Sequence, residues 1–523
     1  MRSDRNDSHG SVKSEAGRRH EADAEAQHFA YSDERKLGVV SVSLLIINNM
    51  IGTGIFSAPA TVFSATGSVG ISLILWFVGG ILAFCGLSIY LELGLAIPRS
   101  GGDKNYLERI YRRPKHLTTC ILAAQMVLLG SSSGNAIAFG QLIVDACRST
   151  VSGETWAARA IGIGCVTFAA LLHSLLPQWG VRLMNAVGMF KVVVMLVVAF
   201  SGVAALAGYR GTDDPHNFEH SFSKADMARY GSGGGGGFHA YVSALLSIIY
   251  TFSGWESANY VLSEVRNPRR TLAIAAPLAV GIVTVLYMLA NIAYFAAVSK
   301  LDLATSELLV AALFFKNMFG NSAAAKTLPV FVAVSSLGNV LATSFAHSRL
   351  NQELGKERVL PFGRFWASNK PCNAPAASLV LHWAVTVIVL VAPPLGSSYH
   401  AIIELSVYSR AWINVVLTAG LIYLQWNKTE RWKSPWHTYL PISIFYLLFN
   451  GIFIVGPFVP PSASSLGRET FFIVPLSCLA VLVSGIFYWA IWIKMVPRVR
   501  GYRIEVERSF DRDEVVRYRR VNF

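Results

Sequence analysis

Three ionisable residues, Lys191, Glu256 and Arg410, stand inside long apolar runs. A charge embedded in hydrocarbon marks an ion or substrate path unless a partner neutralises it. Two further stretches, residues 49–56 (Asn-Met-Ile-Gly-Thr-Gly-Ile-Phe) and 250–256 (Tyr-Thr-Phe-Ser-Gly-Trp-Glu), are broken by glycine in equally apolar surroundings. A helix interrupted there frees N–H groups that suit a carboxylate and C=O groups that suit an ammonium. Two facing breaks can hold the backbone of an α-amino acid almost without charged side chains. Discrimination then falls to the wall around the substrate side chain. Close packing of small residues is the competing reading of either stretch alone. As a pair they fit it less well, because Gly54 and Gly254 are 200 positions apart and each break opens a block of five apolar segments. That is the pattern of an inverted-repeat transporter with discontinuous first helices.

The elements that must position these residues are transmembrane helices. Of 523 residues, 53% are hydrophobic and 15% charged, and the mean hydropathy is +0.45, against about 25% charged in an average soluble protein. Apolar segments fall at 37–64, 69–97, 117–147, 157–176, 183–208, 238–263, 271–298, 326–348, 376–393, 399–425, 438–459 and 470–496. Each is long enough to approach or cross ~30 Å of hydrocarbon. They are numbered here as segments 1 to 12. The expected fold is all-α and polytopic, with twelve transmembrane helices. Its parts are an N-terminal tail (1–36), a transporter domain (37–497) and a basic C-terminal tail (498–523). Within the domain, 37–208 and 238–425 form two repeats and 438–497 adds helices 11 and 12.

The net charge of +14 suggests nucleic acid only if the chain is soluble. Of 45 Lys and Arg, 33 lie in the tails and even-numbered loops, 9 on the other side, and Lys191, Arg410 and Lys494 within segments. By the positive-inside rule both tails are cytoplasmic. Asn6 and Asn427 then carry no glycan despite their N-x-S/T context. The polar N-terminal tail has the composition of disorder. Its Lys13 and Lys36 are the expected ubiquitin acceptors, through a ligase adaptor, should turnover be controlled that way. Cys85, Cys120, Cys165 and Cys478 lie within apolar runs, Cys147 at the edge of one and Cys372 in a basic loop, without metal or redox spacing. They read as unpaired thiols. The glycine-rich run 231–237 reads as a flexible part of the longest external loop. Nothing supports an enzyme, since no HExxH, GxSxG or phosphate loop occurs in a suitable context. A channel fits the paired breaks less well than a carrier does.

Several motifs in order resemble the amino acid-polyamine-organocation superfamily with its LeuT-type fold, and within it the L-type amino acid transporters. They are Gly52-Thr53-Gly54-Ile55-Phe56; 98–108 (Pro-Arg-Ser-Gly-Gly-Asp-Lys-Asn-Tyr-Leu-Glu); 111–114 (Tyr-Arg-Arg-Pro); 253–260 (Ser-Gly-Trp-Glu-Ser-Ala-Asn-Tyr); 264–268 (Glu-Val-Arg-Asn-Pro); and 351–369, which opens Asn-Gln-Glu-Leu-Gly. The resemblance covers roughly residues 36 to 495, and the branch most similar is that of the fungal high-affinity methionine permeases. It implies a plasma-membrane carrier importing methionine, with cysteine or other neutral amino acids as further substrates, by alternating access and with the proton as coupling ion. A broader or more polar or anionic specificity, or an amino acid sensor with little flux, are the alternatives. It implies that Ile51, Gly52, Thr53, Gly54 and Ile55 face the substrate carboxylate. Tyr250, Thr251, Ser253 and Gly254 face its ammonium group, with Tyr250 closing over it. Asp103, Glu264 and Arg266 belong to an intracellular gate in which their charges pair. No cofactor or metal is implied. Mammalian relatives join a heavy chain through an external cysteine; residues 148–156 hold none, so no disulfide-linked partner is expected.

Lys191 lies about nine residues from the cytoplasmic end of segment 5, ~13 Å along a helix, too deep for comfortable snorkelling. In several related carriers a lysine of this helix takes the place of a sodium ion between helices 1 and 8, and Lys191 matches that position. It would supply the cation permanently or cycle its proton. Arg410 departs from the family pattern. Its expected role is an ion pair with Glu404 or Glu256, or contact with the substrate. Glu256, just past the second break, is either a site residue or the partner of Arg410 or Lys191. Ser335, Asn339 and Thr343 share one face of segment 8, and Ser131, Ser132, Ser133 and Asn135 stand together in segment 3. Both sets fit interhelical hydrogen bonding or ligand coordination.

Overall fold

The computed structural model describes residues 37–129, 132–148, 155–209, 211, 214–231, 237–305, 310–320, 327–394, 398–459, 473–499, 502–508 and 516–522. The N-terminal tail, Ser131 and most of the glycine-rich run lie outside them. Every one of the twelve apolar segments holds helix. Among the described residues nine helices are long and apolar enough to cross a membrane. Val39–Met50 and Gly54–Thr66 make a tenth as one span bent by 42°. Phe238–Phe252 and Ala376–Val391 are shorter apolar helices. The chain is thus an all-helical polytopic membrane protein in the spanning region.

Several boundaries differ from the sequence expectation. The helix of segment 5 is Pro177–Leu206, because Pro177 at its first turn is preorganised for helix and continues the chain directly from Trp156–Leu175. Lys191 therefore lies 14 residues, about 21 Å, from the helix start. Segment 8 is Leu328–Lys356, which carries His347, Arg349 and Gln352 within helix. Segment 3 is described as Leu117–Leu128 and Ser133–Arg148, with residues 130 and 131 outside the described residues. The C-terminal tail contains an antiparallel pair, Tyr502–Arg508 with Val516–Asn522, where only a basic tail was expected. Lys300–Thr305 and Val310–Phe319 add two helices between segments 7 and 8.

The broken helices sit at the centre. Pro268–Ala297 packs against Val39–Met50, Val69–Ala96 and Pro177–Leu206, while Leu328–Lys356 packs against Val39–Met50 and Ser133–Arg148. Large apolar side chains such as Phe77, Phe200, Leu448 and Phe487 remain more than half exposed on the outside. Such a surface suits hydrocarbon and would be an aggregation liability in water. Polar side chains turn inward. Glu92 of segment 2 is 1% exposed. Its carboxylate accepts from Trp432 Nε1 (2.9 Å), Gln425 Nε2 (2.8 Å) and the Thr438 amide (2.7 Å), fastening the loop between segments 10 and 11. The end of the molecule holding this loop also holds Leu37, the helix Asp103–Ile110 and Glu357. It is called the terminal face.

Candidate functional site

A helix leaves its last four carbonyls without partners, and at the end of Val39–Met50 side chains from three other helices take them. Lys191 Nζ donates to Asn48 O (2.9 Å) and Ile51 O (2.5 Å). Asn339 Nδ2 donates to Asn49 O (2.7 Å) and Tyr287 Oη to Met50 O (2.8 Å). Ser335 Oγ adds a longer contact to Ile51 O (3.3 Å), and Thr343 Oγ1 donates to Asn49 Oδ1 (2.8 Å). The polar stripe of segment 8 is thus interhelical bonding, directed at the unwound strand. Asn135 joins it through Asn339 Oδ1 (2.9 Å). Lys191 lies where a positive charge is needed, under a row of carbonyl dipoles.

The second break is tied to the first. Tyr287 Oη also reaches Thr251 O (3.1 Å), so one hydroxyl spans both. Glu256 Oε2 accepts from the Gly254 amide (3.0 Å), while Ser253 Oγ turns back to Tyr250 O (2.5 Å). Contact between the breaks is close. A Cβ on Gly54 would lie 2.5 Å from Thr251 Oγ1, and one on Gly254 would lie 2.7 Å from Asn49 Cβ. Gly254 has φ +115°, a region that L side chains rarely adopt. At the start of Gly54–Thr66 the Phe56 amide donates to Thr53 O (3.1 Å), which leaves the Gly54 and Ile55 amides ahead of it to suit an anion.

A cavity of about 150 Å³ opens on these breaks. Gly52, Gly54, Tyr250, Thr251, Ser253, Gly254, Glu256 and Arg410 all line it. Ile51 and Ile55 are fully buried in the core instead, so only their backbone can serve the site. Thr53 is likewise buried away from the lining. Met126, Leu129, Ile249 and Val407 give one part of the wall an apolar surface. Gln125, Ser257, Tyr260 and His347 add polar groups to the lining, and Tyr260 carries it to Asp103 at the terminal face.

That polar part ends in a latch. Arg410 Nη1 donates to Asp103 Oδ2 (2.7 Å) and to Tyr260 Oη (3.0 Å), Tyr260 Oη donates to Asp103 Oδ2 (2.9 Å), and Arg410 Nη2 lies 3.4 Å from Glu256 Oε1. The expected partner Glu256 is present, but the closer one is Asp103. Glu404's side chain lies outside the described residues. The gate charges do not pair among themselves as expected. Asp103 belongs to Arg410, Glu264 to Arg349 (2.8 Å), and Arg266 is exposed. Its backbone instead joins the start of segment 1, with Leu37 N to Glu264 O (2.6 Å) and Arg266 N to Leu37 O (3.0 Å). The difference has a physical cause. Asp103 is buried at the start of Asp103–Ile110, where a long guanidinium can reach it from segment 10 and a solvent-facing arginine cannot.

Nearby, Lys104 bridges Glu108 (3.6 Å) and Glu357. Burial disfavours its charge, yet these two carboxylates hold Lys104 above the ordinary lysine range. Burial likewise opposes ionisation of Glu108, but Lys104, His116 and Thr119 pull it down to about 2. Burial pushes the Glu357 carboxyl up to about 8 against the pull of Lys104, and it is the Lys104–Glu357 contact that ties Asp103–Ile110 to the end of segment 8.

Sequence reasoning missed Tyr287, Tyr260, Arg349 and His347. Tyr287 had the clearest signal, a hydroxyl near the middle of a largely apolar helix, where a buried O–H calls for an acceptor.

A family model described as amino acid permease matches residues 37–489. The chain is 38% identical over 482 residues to a high-affinity methionine permease of Saccharomyces cerevisiae, covering 90% of this chain and 81% of that protein. It is 28% identical over 483 residues to a low-affinity methionine permease of the same yeast, covering 90% and 84%. It is 28% identical over 456 residues to the human Asc-type amino acid transporter 1, covering 87% and 83%.

Proposed function

Since the chain belongs to the amino acid permease family, we propose that it imports methionine across the plasma membrane by alternating access, coupled to protons, with both tails cytoplasmic. The observation that carries this reading is the interlocked pair of breaks around the cavity. The Gly54 and Ile55 amides at the start of Gly54–Thr66 receive the carboxylate, and the carbonyl side of the second break receives the ammonium group. The apolar wall of Met126, Leu129, Ile249 and Val407 accommodates a thioether side chain. The methionine permeases among the relatives support the same choice.

Charge bookkeeping favours a neutral substrate over an anionic one. Arg410 faces the cavity but is matched by Asp103 and Glu256, so the guanidinium offers no uncompensated positive charge. Alternating access is supported by the latch, which lies between the cavity and the terminal face. Lys191 supports a coupling scheme without sodium, because its ammonium already occupies the carbonyl row where a metal ion would be drawn.

Competition against labelled methionine uptake tests the assignment. Excess methionine should abolish uptake, cysteine and other neutral amino acids should compete partly, and aspartate, glutamate and lysine should not compete. Uptake should rise when the outside is made more acidic and should not need sodium. Failure of methionine to compete sinks the substrate choice. Equal uptake with and without a pH gradient, combined with a sodium requirement, sinks the coupling.

A further inference from the structure

His347 and His382 are a pair of buried imidazoles beside the cavity, 7% and 5% exposed. Their ring centroids are 5.7 Å apart with planes inclined by 33°. His347, on Leu328–Lys356, lines the cavity one turn beyond Thr343. Its ring also meets Tyr260 edge-on, centroids 5.7 Å apart. His382, on Ala376–Val391, shares a hydrogen bond of 2.8 Å with Ser132 Oγ of segment 3. The pair therefore touches the cavity on one side and the latch tyrosine on the other.

The charged and titratable neighbours decide what a proton there would do. Tyr260 faces His347 from segment 6, His382 from segment 9 and Arg410 from segment 10. Arg349, farther along the same helix, is already matched by Glu264, and His173 faces Leu341 O and the ring of Phe345. Two imidazolium ions this close would repel strongly in a poorly screened interior, so the pair holds one proton at most. The carboxylates in the surrounding network able to answer that charge are Asp103 and Glu256, and Arg410 holds both.

We propose that His347, backed by His382, is the binding site of the co-transported proton. The proton enters from the cavity onto an imidazole lone pair and leaves to the terminal side by the reverse step, with no other bond made or broken. Lys191, bonded to Asn48 O and Ile51 O, remains the support of the first break. This site rests on the proton-coupled reading above and names where the travelling proton resides.

The test uses the full chain in proteoliposomes, with net methionine accumulation and methionine-for-methionine exchange measured in parallel. One proton per substrate raises wild-type accumulation about tenfold per unit of inward pH gradient. His347→Gln and His347→Asn keep a polar amide and cannot take up a proton. They should make accumulation insensitive to the gradient while exchange, which moves no net proton, is retained at a reduced rate. A gradient response retained in either variant overturns the proposal and returns the proton to Lys191. Loss of exchange in both variants also overturns it, since His347 would then be part of the fold alone. A wild-type protein without any gradient response refutes the coupling itself, and is distinguished from the other outcomes by needing no variant.

Discussion

Gly254→Ala abolishes uptake while the protein still reaches the membrane. The substitution asks an L-residue to hold φ +115° and places a methyl group 2.7 Å from Asn49 Cβ and 2.8 Å from Asn49 C. Backbone strain of this kind amounts to about 1–3 kcal/mol, and the steric contact with a backbone atom adds to it. The helices packed around the breaks stay in place, so the loss falls on the facing of the two breaks. Gly54→Val acts from the opposite side, pressing on Thr251, whose Oγ1 lies 2.5 Å from the Cβ position. Labelled methionine uptake, normalised to surface protein, measures both. Uptake by Gly254→Ala equal to wild type would mean that the breaks move apart freely and that their close contact is not needed for transport.

Lys191→Met removes both transport and a large part of the stability. Methionine fills a similar volume but leaves Asn48 O without the ammonium and Ile51 O with only the 3.3 Å contact of Ser335. An unsatisfied buried acceptor costs about 1–3 kcal/mol, so the two together reach about 2–6 kcal/mol as an upper range. The thermal unfolding temperature in detergent should fall by several degrees or more, and uptake should fall at least tenfold. Lys191→Arg retains the charge but not the compact head, and should recover stability better than uptake. The prediction fails if Lys191→Met unfolds at the wild-type temperature and transports at the wild-type rate.

The helical segments were legible in the sequence because hydrocarbon imposes length and apolarity on each one separately. The two breaks were legible for a similar reason: glycine within such a run is a local signal, and its repetition 200 positions later is a simple count. Lys191 announced itself as a charge in the wrong solvent. What stayed hidden was the identity of partners. Asp103 and Arg410 are 307 positions apart, and nothing in the loop that carries Asp103 says that it will be buried. Glu264 reads as a residue of the intracellular gate, but its partner Arg349 lies just beyond the expected end of segment 8. His347 was invisible for the same reason, since ending the segment at 348 made it a residue of a helix terminus. The helix in fact continues to Lys356. Tyr287 shows the general difficulty, because which of many buried carbonyls a hydroxyl finds is settled only by packing.

Glu92 ties the molecule's assembly to the order of its synthesis. The carboxylate is in the second apolar segment, while its donors Trp432 and Thr438 follow 340 and 346 residues later. At about 5–20 residues per second, that separation corresponds to roughly 20–70 s of translation. Throughout that interval a nascent chain already threaded into the bilayer carries an acid lacking its native donors. The first hairpin is complete as a polypeptide long before it is complete as a set of hydrogen bonds. The ribosome must deliver segment 10 and the loop after it before segment 2 can settle.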